Sequence, residues 1–213
     1  FNPGRLSAEA IHRESDGTLK RLGTDYLDLY IIHRFDYETS IEETMEALND
    51  LVKAGKVRAI GLSNFNEEQI REILSVCEVR PAVLQTEIHP YSQEKGLKEF
   101  LSKEDIVIQA WYPLGHGDAA LLQEPVFAKL AEKYGKSNAQ IILRWHIQAG
   151  NVVIPGSKNP EHIRANFDLF DFELTAEEMQ EIQKLNKDKR YYTSTPELLK
   201  SYAEMVPSVD EQV

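Results

Sequence analysis

The sequence predicts an α/β protein of the (β/α)8 TIM-barrel type, incomplete in this chain, with about five parallel strands and their following helices. Three observations predict it. Helix-like and strand-like segments alternate with a regular beat, the pattern of parallel strands joined by right-handed crossovers. The strand-like segments are near-continuous apolar runs, as in sheets covered on both faces, YLDLYII at 26–32 being the clearest. Polar or aromatic residues then appear at the C-terminal end of every run, which suits a barrel mouth. An open doubly wound sheet is the competing arrangement, but neither G-x-G-x-x-G nor G-x-x-x-x-G-K-[ST] follows the first strand.

The elements follow in order. The first helix runs from Ser7 to Leu22, with Ile11, Leu19 and Leu22 on one face and Gly23 placed to end it. The strand ending at His33 comes next. Ser40-Ile41-Glu42-Glu43 reads as a capping box opening a second helix, with Ile41, Met45, Leu48 and Val52 at core spacing and Gly55 closing it. VRAIGLSNF (57–65) is a strand and its exit, after which Asn66 and Gln69 start a helix that turns Ile70, Ile73 and Leu74 inward. AVLQTEIHP (82–90), DIVIQAWYPLG (105–115) and NVVIPGS (151–157) are three further strands, with helices near 92–103, 124–134 and 137–149 between them. A short helix near 159–166 follows. Thr175-Ala176-Glu177-Glu178 is another capping box, flanked by Leu174 and Met179 at the hydrophobic-staple positions. Residues 1–186 therefore read as one partial barrel, and 187–213 as a tail with a short helix started by Pro196.

Composition narrows the functional classes. The 213 residues carry 35 acidic against 24 basic side chains, a net charge of −11, which argues against nucleic acid or an anionic membrane surface as the main partner. No apolar run approaches ~18 residues, so no membrane span is expected. The N-terminal FNPGRLSAEA is polar and does not read as a signal peptide. The single cysteine, Cys77, excludes an internal disulfide and fits a reducing compartment, so the expected location is cytoplasmic.

In a parallel barrel all strand C-termini open on one face, so His33, Ser63, Asn64, Gln85, Trp111 and Ser157 are expected to converge on one mouth. An imidazole, a serine, two amides and an indole suit a planar, polar, aromatic ligand, since amides pair with amides and an indole stacks on a flat ring. GSKNP at 156–160, opening a short helix, offers backbone N–H groups to a phosphate, and Lys158 adds a cation. Taken alone, His33 would be a structural residue and Trp111 a core one. Glu87 and His89, with His33 and His116, raise a metal-ligand alternative. No H-x-H or HExxH pair accompanies them, so no metal is expected, and Glu87 and His89 read as structural residues bonded to neighbouring strands.

TDYLDLYIIHR, GKVRAIGLSNF, LQTEIHPY, AWYPLG and VVIPGSKNPEHIRANFDLFDFELT, in this order and spacing, resemble the aldo-keto reductase family from about residue 7 to residue 186. The resemblance implies a (β/α)8 barrel that binds NAD(P)H, usually NADPH, without a Rossmann fold and reduces aldehydes and ketones by direct hydride transfer. It implies that His33 hydrogen-bonds the substrate carbonyl. Ser63, Asn64 and Gln85 would hold the nicotinamide carboxamide, and Trp111 would stack on the nicotinamide face. Leu114 and Gly115 would lie along the pyrophosphate, Ser157 and Lys158 in the segment receiving the adenosine 2′-phosphate, and Asn166 where an amide meets adenine. Tyr191 and Tyr192 are substrate-pocket candidates from the C-terminal tail.

The chain departs from the family's pattern. Gly156 stands where many NADPH-using members have lysine, His162 where they have an arginine against the adenine, and Ala165 at a nearby glutamate position. An imidazole in place of a permanently charged fork weakens 2′-phosphate recognition, so NADPH is expected with NADH also admissible. Of the family's aspartate, tyrosine, lysine and histidine, the sequence matches the histidine alone, and no tyrosine is assigned as proton donor. Three accounts stay open: a piece of a longer protein, which is preferred; a shortened reductase; or a barrel completed by a second copy. Five strands cannot close a barrel, and open edge strands favour self-association. Two functions from different classes remain. One is an NAD(P)H-dependent oxidoreductase acting on a small-molecule carbonyl. The other is a catalytically inactive nucleotide-binding remnant with a regulatory or scaffold role.

Overall fold

A computed structural model describes residues 6–193, 195, 197, 198 and 201. The chain divides into two compact units, Phe1–Ala82 with Thr193–Val213, and Val83–Tyr192. Five strands alternate with helices through both, and every pairing within each unit is parallel.

In the first unit α1 spans Ala8–Leu22, β1 Leu27–Ile32, α2 Ile41–Lys53, β2 Val57–Ser63 and α3 Glu67–Val76. Ser7 caps α1 through its hydroxyl, and Gly23 ends it at φ 67°, a conformation glycine adopts without Cβ strain. Ile11 and Leu19 are buried as expected, but Leu22, expected on the same face, is 64% exposed in the helix's last turn. The capping box at α2 forms by half. Ser40 accepts the Glu43 N–H at 3.2 Å, while the Glu43 carboxylate accepts the Ala8 N–H at 2.9 Å instead of returning to Ser40. An acidic side chain spent on another helix's unpaired N–H satisfies the same need, across 35 positions of sequence. Asn66 and Gln69 make both bonds of their box at α3. β1 and β2 run in register from Leu27↔Val57 to Ile32↔Leu62. Met45, Leu48, Ile60, Leu62, Ile70 and Ile73 are buried between these helices and strands.

The second unit holds β3 (Val83–Glu87), α4 (Lys95–Lys103), β4 (Val107–Trp111), a 3-10 turn (Gly115–Gly117), α5 (Ala119–Leu122), α6 (Pro125–Tyr134), α7 (Asn138–Gln148), β5 (Val152–Val153), α8 (Pro160–Ala165) and α9 (Ala176–Gln183). β3 pairs β4 from Val83↔Val107 to Glu87↔Trp111, and β4 pairs β5 at Gln109↔Val152 and Ala110↔Val153. Phe127, Leu130, Ile141, Ile142, Trp145 and Ile182 form the core under α6, α7 and α9.

The strands are shorter than their apolar runs. β3 stops at Glu87 because His89 and Ser92 bond back on each other, at 3.1 and 2.9 Å, in a tight turn. β5 stops before Pro155, which has no N–H to extend the ladder. The turn at Gly115 and α5 were not expected from the apolar pattern. Thr175 and Glu178 complete their capping box at α9. Pro196, read as starting the tail helix, lies outside the described residues. Among the described residues no helix is long and apolar enough to cross a membrane.

Candidate functional site

His33 is the first residue beyond β1, and Ser63 is the last of β2. Because Ile32 pairs with Leu62, these residues leave their strands at one end of the pair. His33 is exposed. Partial desolvation, and after it the Arg34 charge, hold its imidazole below the ordinary value, so it is neutral near pH 7. The loop beyond it is organised by buried Asp36, which accepts the Thr39 hydroxyl at 2.6 Å and the Glu38 and Leu6 N–H groups. Asn64 has φ 62°, a conformation asparagine tolerates better than most residues, and its amide donates to the Ser63 hydroxyl at 3.0 Å. Asn66, not Ser63 or Asn64, caps α3.

In the second unit Gln85 and Trp111 sit on paired strands. Gln85 Nε2 donates to Gln109 Oε1 at 2.6 Å, and among the described residues the Gln85 oxygen accepts no hydrogen bond. Trp111 is half-buried, with Tyr112 edge-on at 4.5 Å and Tyr192 edge-on at 5.7 Å. Tyr112 and His116 both have positive φ, 51° and 55°, and their rings lie 4.3 Å apart, so the strand exit is a strained aromatic loop. Leu114 and Gly115 occupy that loop; Gly115, buried at φ 64°, has no room for a side chain.

Ser157, Lys158, His162 and Asn166 lie together around α8 on the unit's surface, with Lys158 and His162 exposed. Two N–H groups here are already engaged: the Ser157 hydroxyl accepts that of Asn159 at 3.1 Å, and the Asn159 side chain accepts that of Glu161 at 2.9 Å. Pro160 has none to offer.

Glu87 and His89 are structural, but their partners are not the neighbouring strands. His89 Nε2 donates to Glu87 Oε1 at 2.9 Å, and the carboxylate also accepts the N–H groups of Tyr191 at 2.6 Å and Tyr192 at 3.0 Å. The Tyr191 hydroxyl donates to Asp118 at 2.6 Å, and Asp118 caps α5. That bond and burial push the Tyr191 phenol well above its usual range, burial being the larger cause. Among the described residues no group of three acidic, histidine or cysteine side chains could hold a metal.

A second buried network was invisible in the sequence. His146 Nε2 donates to the Pro113 carbonyl at 3.0 Å and Nδ1 accepts from Asn151 at 3.2 Å, while Lys98 donates to Asn151 Oδ1 at 3.1 Å and to the Ala149 carbonyl. Burial pushes His146 down to about 3, so it stays neutral and holds the loop after β4 by one hydrogen bond. No local pattern flags it, because the Pro113 carbonyl comes from a segment 33 positions away and the Asn151 amide from the loop just past α7.

The Aldo/keto reductase family model matches residues 1–187. The 9,11-endoperoxide prostaglandin H2 reductase of Trypanosoma cruzi is 45% identical over 170 residues, covering 79% of this chain and 60% of that protein. The glyoxal reductase of Bacillus subtilis is 44% identical over 182 residues, covering 85% and 65%. A crystal structure of a Gox0644 mutant in complex with NADPH matches with TM-score 0.83 at 36% identity, over 91% of this chain and 71% of that chain. The chain thus spans 60 to 65% of the length of these curated relatives. Its fold class is the α/β barrel type, represented here by five parallel strands with their helices.

Proposed function

Because the chain belongs to the aldo/keto reductase family, we propose that it serves an NAD(P)H-dependent oxidoreductase that moves a hydride between a nicotinamide cofactor and a small aldehyde or ketone. The observation that carries this reading is the placement of Gln85 and Trp111 on the paired strands β3 and β4, Gln85 opposite Gln109 and Trp111 opposite Glu87. An amide whose oxygen accepts no bond among the described residues lies two ladder positions from a half-buried indole. That donor set fits a nicotinamide: the Gln85 oxygen can accept from a carboxamide, and the indole offers a stacking face.

The first unit supplies His33, Ser63 and Asn64. As a neutral imidazole, His33 can donate one hydrogen bond to a carbonyl oxygen, and its low proton affinity keeps it a donor rather than an acid. Ser63 and Asn64 offer a hydroxyl and an amide to a carboxamide. The second unit adds Leu114 and Gly115 along the pyrophosphate, Ser157 and Lys158 toward the 2′-phosphate, His162 and Asn166 toward the adenine, and Tyr191 and Tyr192 toward the substrate. The nicotinamide supplies the hydride when bound. We assign no proton donor among residues 1–213. NADPH is the preferred cofactor, on the strength of Lys158; the imidazole of His162 leaves NADH admissible.

The test is loss of NADPH absorbance with a generic aldehyde, beside quenching or enhancement of cofactor fluorescence on binding. Turnover that disappears in His33→Ala while NADPH still binds supports the reductase reading. NADPH binding without turnover in the unmodified protein supports a catalytically inactive nucleotide-binding protein. Neither binding nor turnover would sink both.

A further inference from the structure

Hydrogen bonds lay segment 186–192 along the exit of β3. Asn186 Oδ1 accepts the Gln93 N–H at 3.1 Å, and the Tyr91 carbonyl accepts those of Lys187 and Lys189 at 3.0 and 3.1 Å. Glu87 completes the series with the N–H groups of Tyr191 and Tyr192. Of these acceptors Glu87 alone is a charged side chain, and it has no exposed surface.

A buried carboxylate is costly unless its oxygens are fully hydrogen-bonded, and an apolar side chain would pack there more cheaply. What an apolar side chain could not do is set register. Tyr191 bonds one carboxylate oxygen and Tyr192 the other, which fixes both the position and the direction of the chain at those residues. The consequence is visible in the rings. Glu87 is the register partner of Trp111, and the Tyr192 ring lies 5.7 Å from that indole at 70°. Tyr191 packs on His89 at 4.8 Å, and its hydroxyl reaches Asp118. His89, wholly buried, bonds Glu87 through Nε2, while its Nδ1 finds no partner among the described residues; its retained bond is the one that steadies the carboxylate.

We propose that Glu87 is a positioning residue: it seats Tyr192 edge-on against Trp111 and thereby holds the Tyr192 ring as the wall that receives the flat or apolar part of a carbonyl substrate. The proposal rests on the reductase reading above and adds to it the residue that shapes substrate preference. A substrate large enough to touch the wall depends on Glu87; a two- or three-carbon aldehyde does not.

Amide hydrogen exchange and steady-state kinetics on Glu87→Gln test it together. The amides of Tyr191 and Tyr192 are expected to exchange at least about tenfold faster, with those of Leu84 and Thr86 in β3 unchanged. KM for an aromatic aldehyde is expected to rise about tenfold with kcat nearly constant, and KM for a two-carbon aldehyde to stay put. Tyr192→Leu, which leaves Glu87 and both backbone bonds in place, is expected to reproduce the KM pattern with the amides still protected. Protected amides in Glu87→Gln, or an unchanged aromatic KM in both variants, would overturn the proposal. Absence of turnover in the unmodified protein would overturn the reductase reading instead. The clasp is then judged by amide exchange and by Trp111 emission in a Trp145→Phe background, where Glu87→Gln must shift the emission or the proposal fails.

Discussion

Glu87 accepts the backbone N–H of Tyr191 at 2.6 Å across 104 positions of sequence, and that bond ties the end of a strand to the C-terminal segment. Glu87→Ala removes the acceptor for two N–H groups and for His89 at once. Each buried donor left unpaired costs about 1–3 kcal/mol, so a loss of about 3–5 kcal/mol is expected in denaturant unfolding. A loss under about 1 kcal/mol would show that water replaces the carboxylate easily.

Two buried groups, His146 and Glu87, make the fold acid-sensitive with one sign. Burial pushes His146 down to about 3, so between pH 6.5 and 3 the unfolded chain takes a proton the native one refuses. Its contribution is fully present above 6.5 and falls by about 1.4 kcal/mol per pH unit below it. Glu87 follows at lower pH. Burial raises its carboxyl, but the bonds from His89, Tyr191 and Tyr192 outweigh burial and hold it below the ordinary value, so its contribution is lost as pH falls below 4.5 through the native value. Unfolding free energies measured at intervals between pH 7.5 and about 5 should decline, and His146→Gln should flatten the decline. An identical slope in that variant would remove His146 from the account.

Gly115→Ala should destabilise more than Gly135→Ala. Both glycines have φ 64°, but a Cβ at Gly115 would clash with Leu121 Cδ2 and meet Tyr191 Cε2 at 3.3 Å, whereas nothing lies within 4 Å at Gly135. The left-handed conformation costs alanine about 1–2 kcal/mol at either site, and overpacking adds about 1–3 at Gly115. Thermal unfolding of the two variants side by side gives the difference; equal midpoints would mean the loop yields freely.

Trp145→Phe should be mild for a core substitution. The indole Nε1 is buried with no partner among the described residues, so losing it removes volume but no hydrogen bond. About 1–2 kcal/mol is expected from the smaller ring, and a loss above about 3 would mean that the N–H is bonded in solution.

The legible parts of this molecule were those set by neighbours in sequence. Ser7, Asn66 and Thr175 cap the helices they appear to cap, because the groups they satisfy lie three residues away. Glu43 looked equally local, yet it serves Ala8, since an unpaired N–H on a packed helix competes with the one at Ser40. Glu87 and His89 read as structural because no metal-ligand pair accompanies them, and the expected partners, the neighbouring strands, are replaced by each other and by Tyr191 and Tyr192. His33, Ser63, Asn64 and Trp111 could be placed at or just beyond strand ends because an apolar run stops where the chain leaves the sheet, whereas Gln85, expected at an end, lies in the middle of β3 opposite Gln109.

By itself, then, the amino-acid sequence determined the alternation of helix and strand and the helix starts, which follow from spacing within a few turns of chain, and the family, which follows from the resemblance of five blocks in order along the chain. The tertiary structure alone decided which way buried polar groups turn. Glu87 faces Tyr191 and Tyr192, and His146 faces Pro113 and Asn151, because a buried donor or acceptor must find whatever partner the fold brings within about 3 Å. For Glu87, and for the bond from His146 to Pro113, that partner is chosen by packing between segments far apart in the chain.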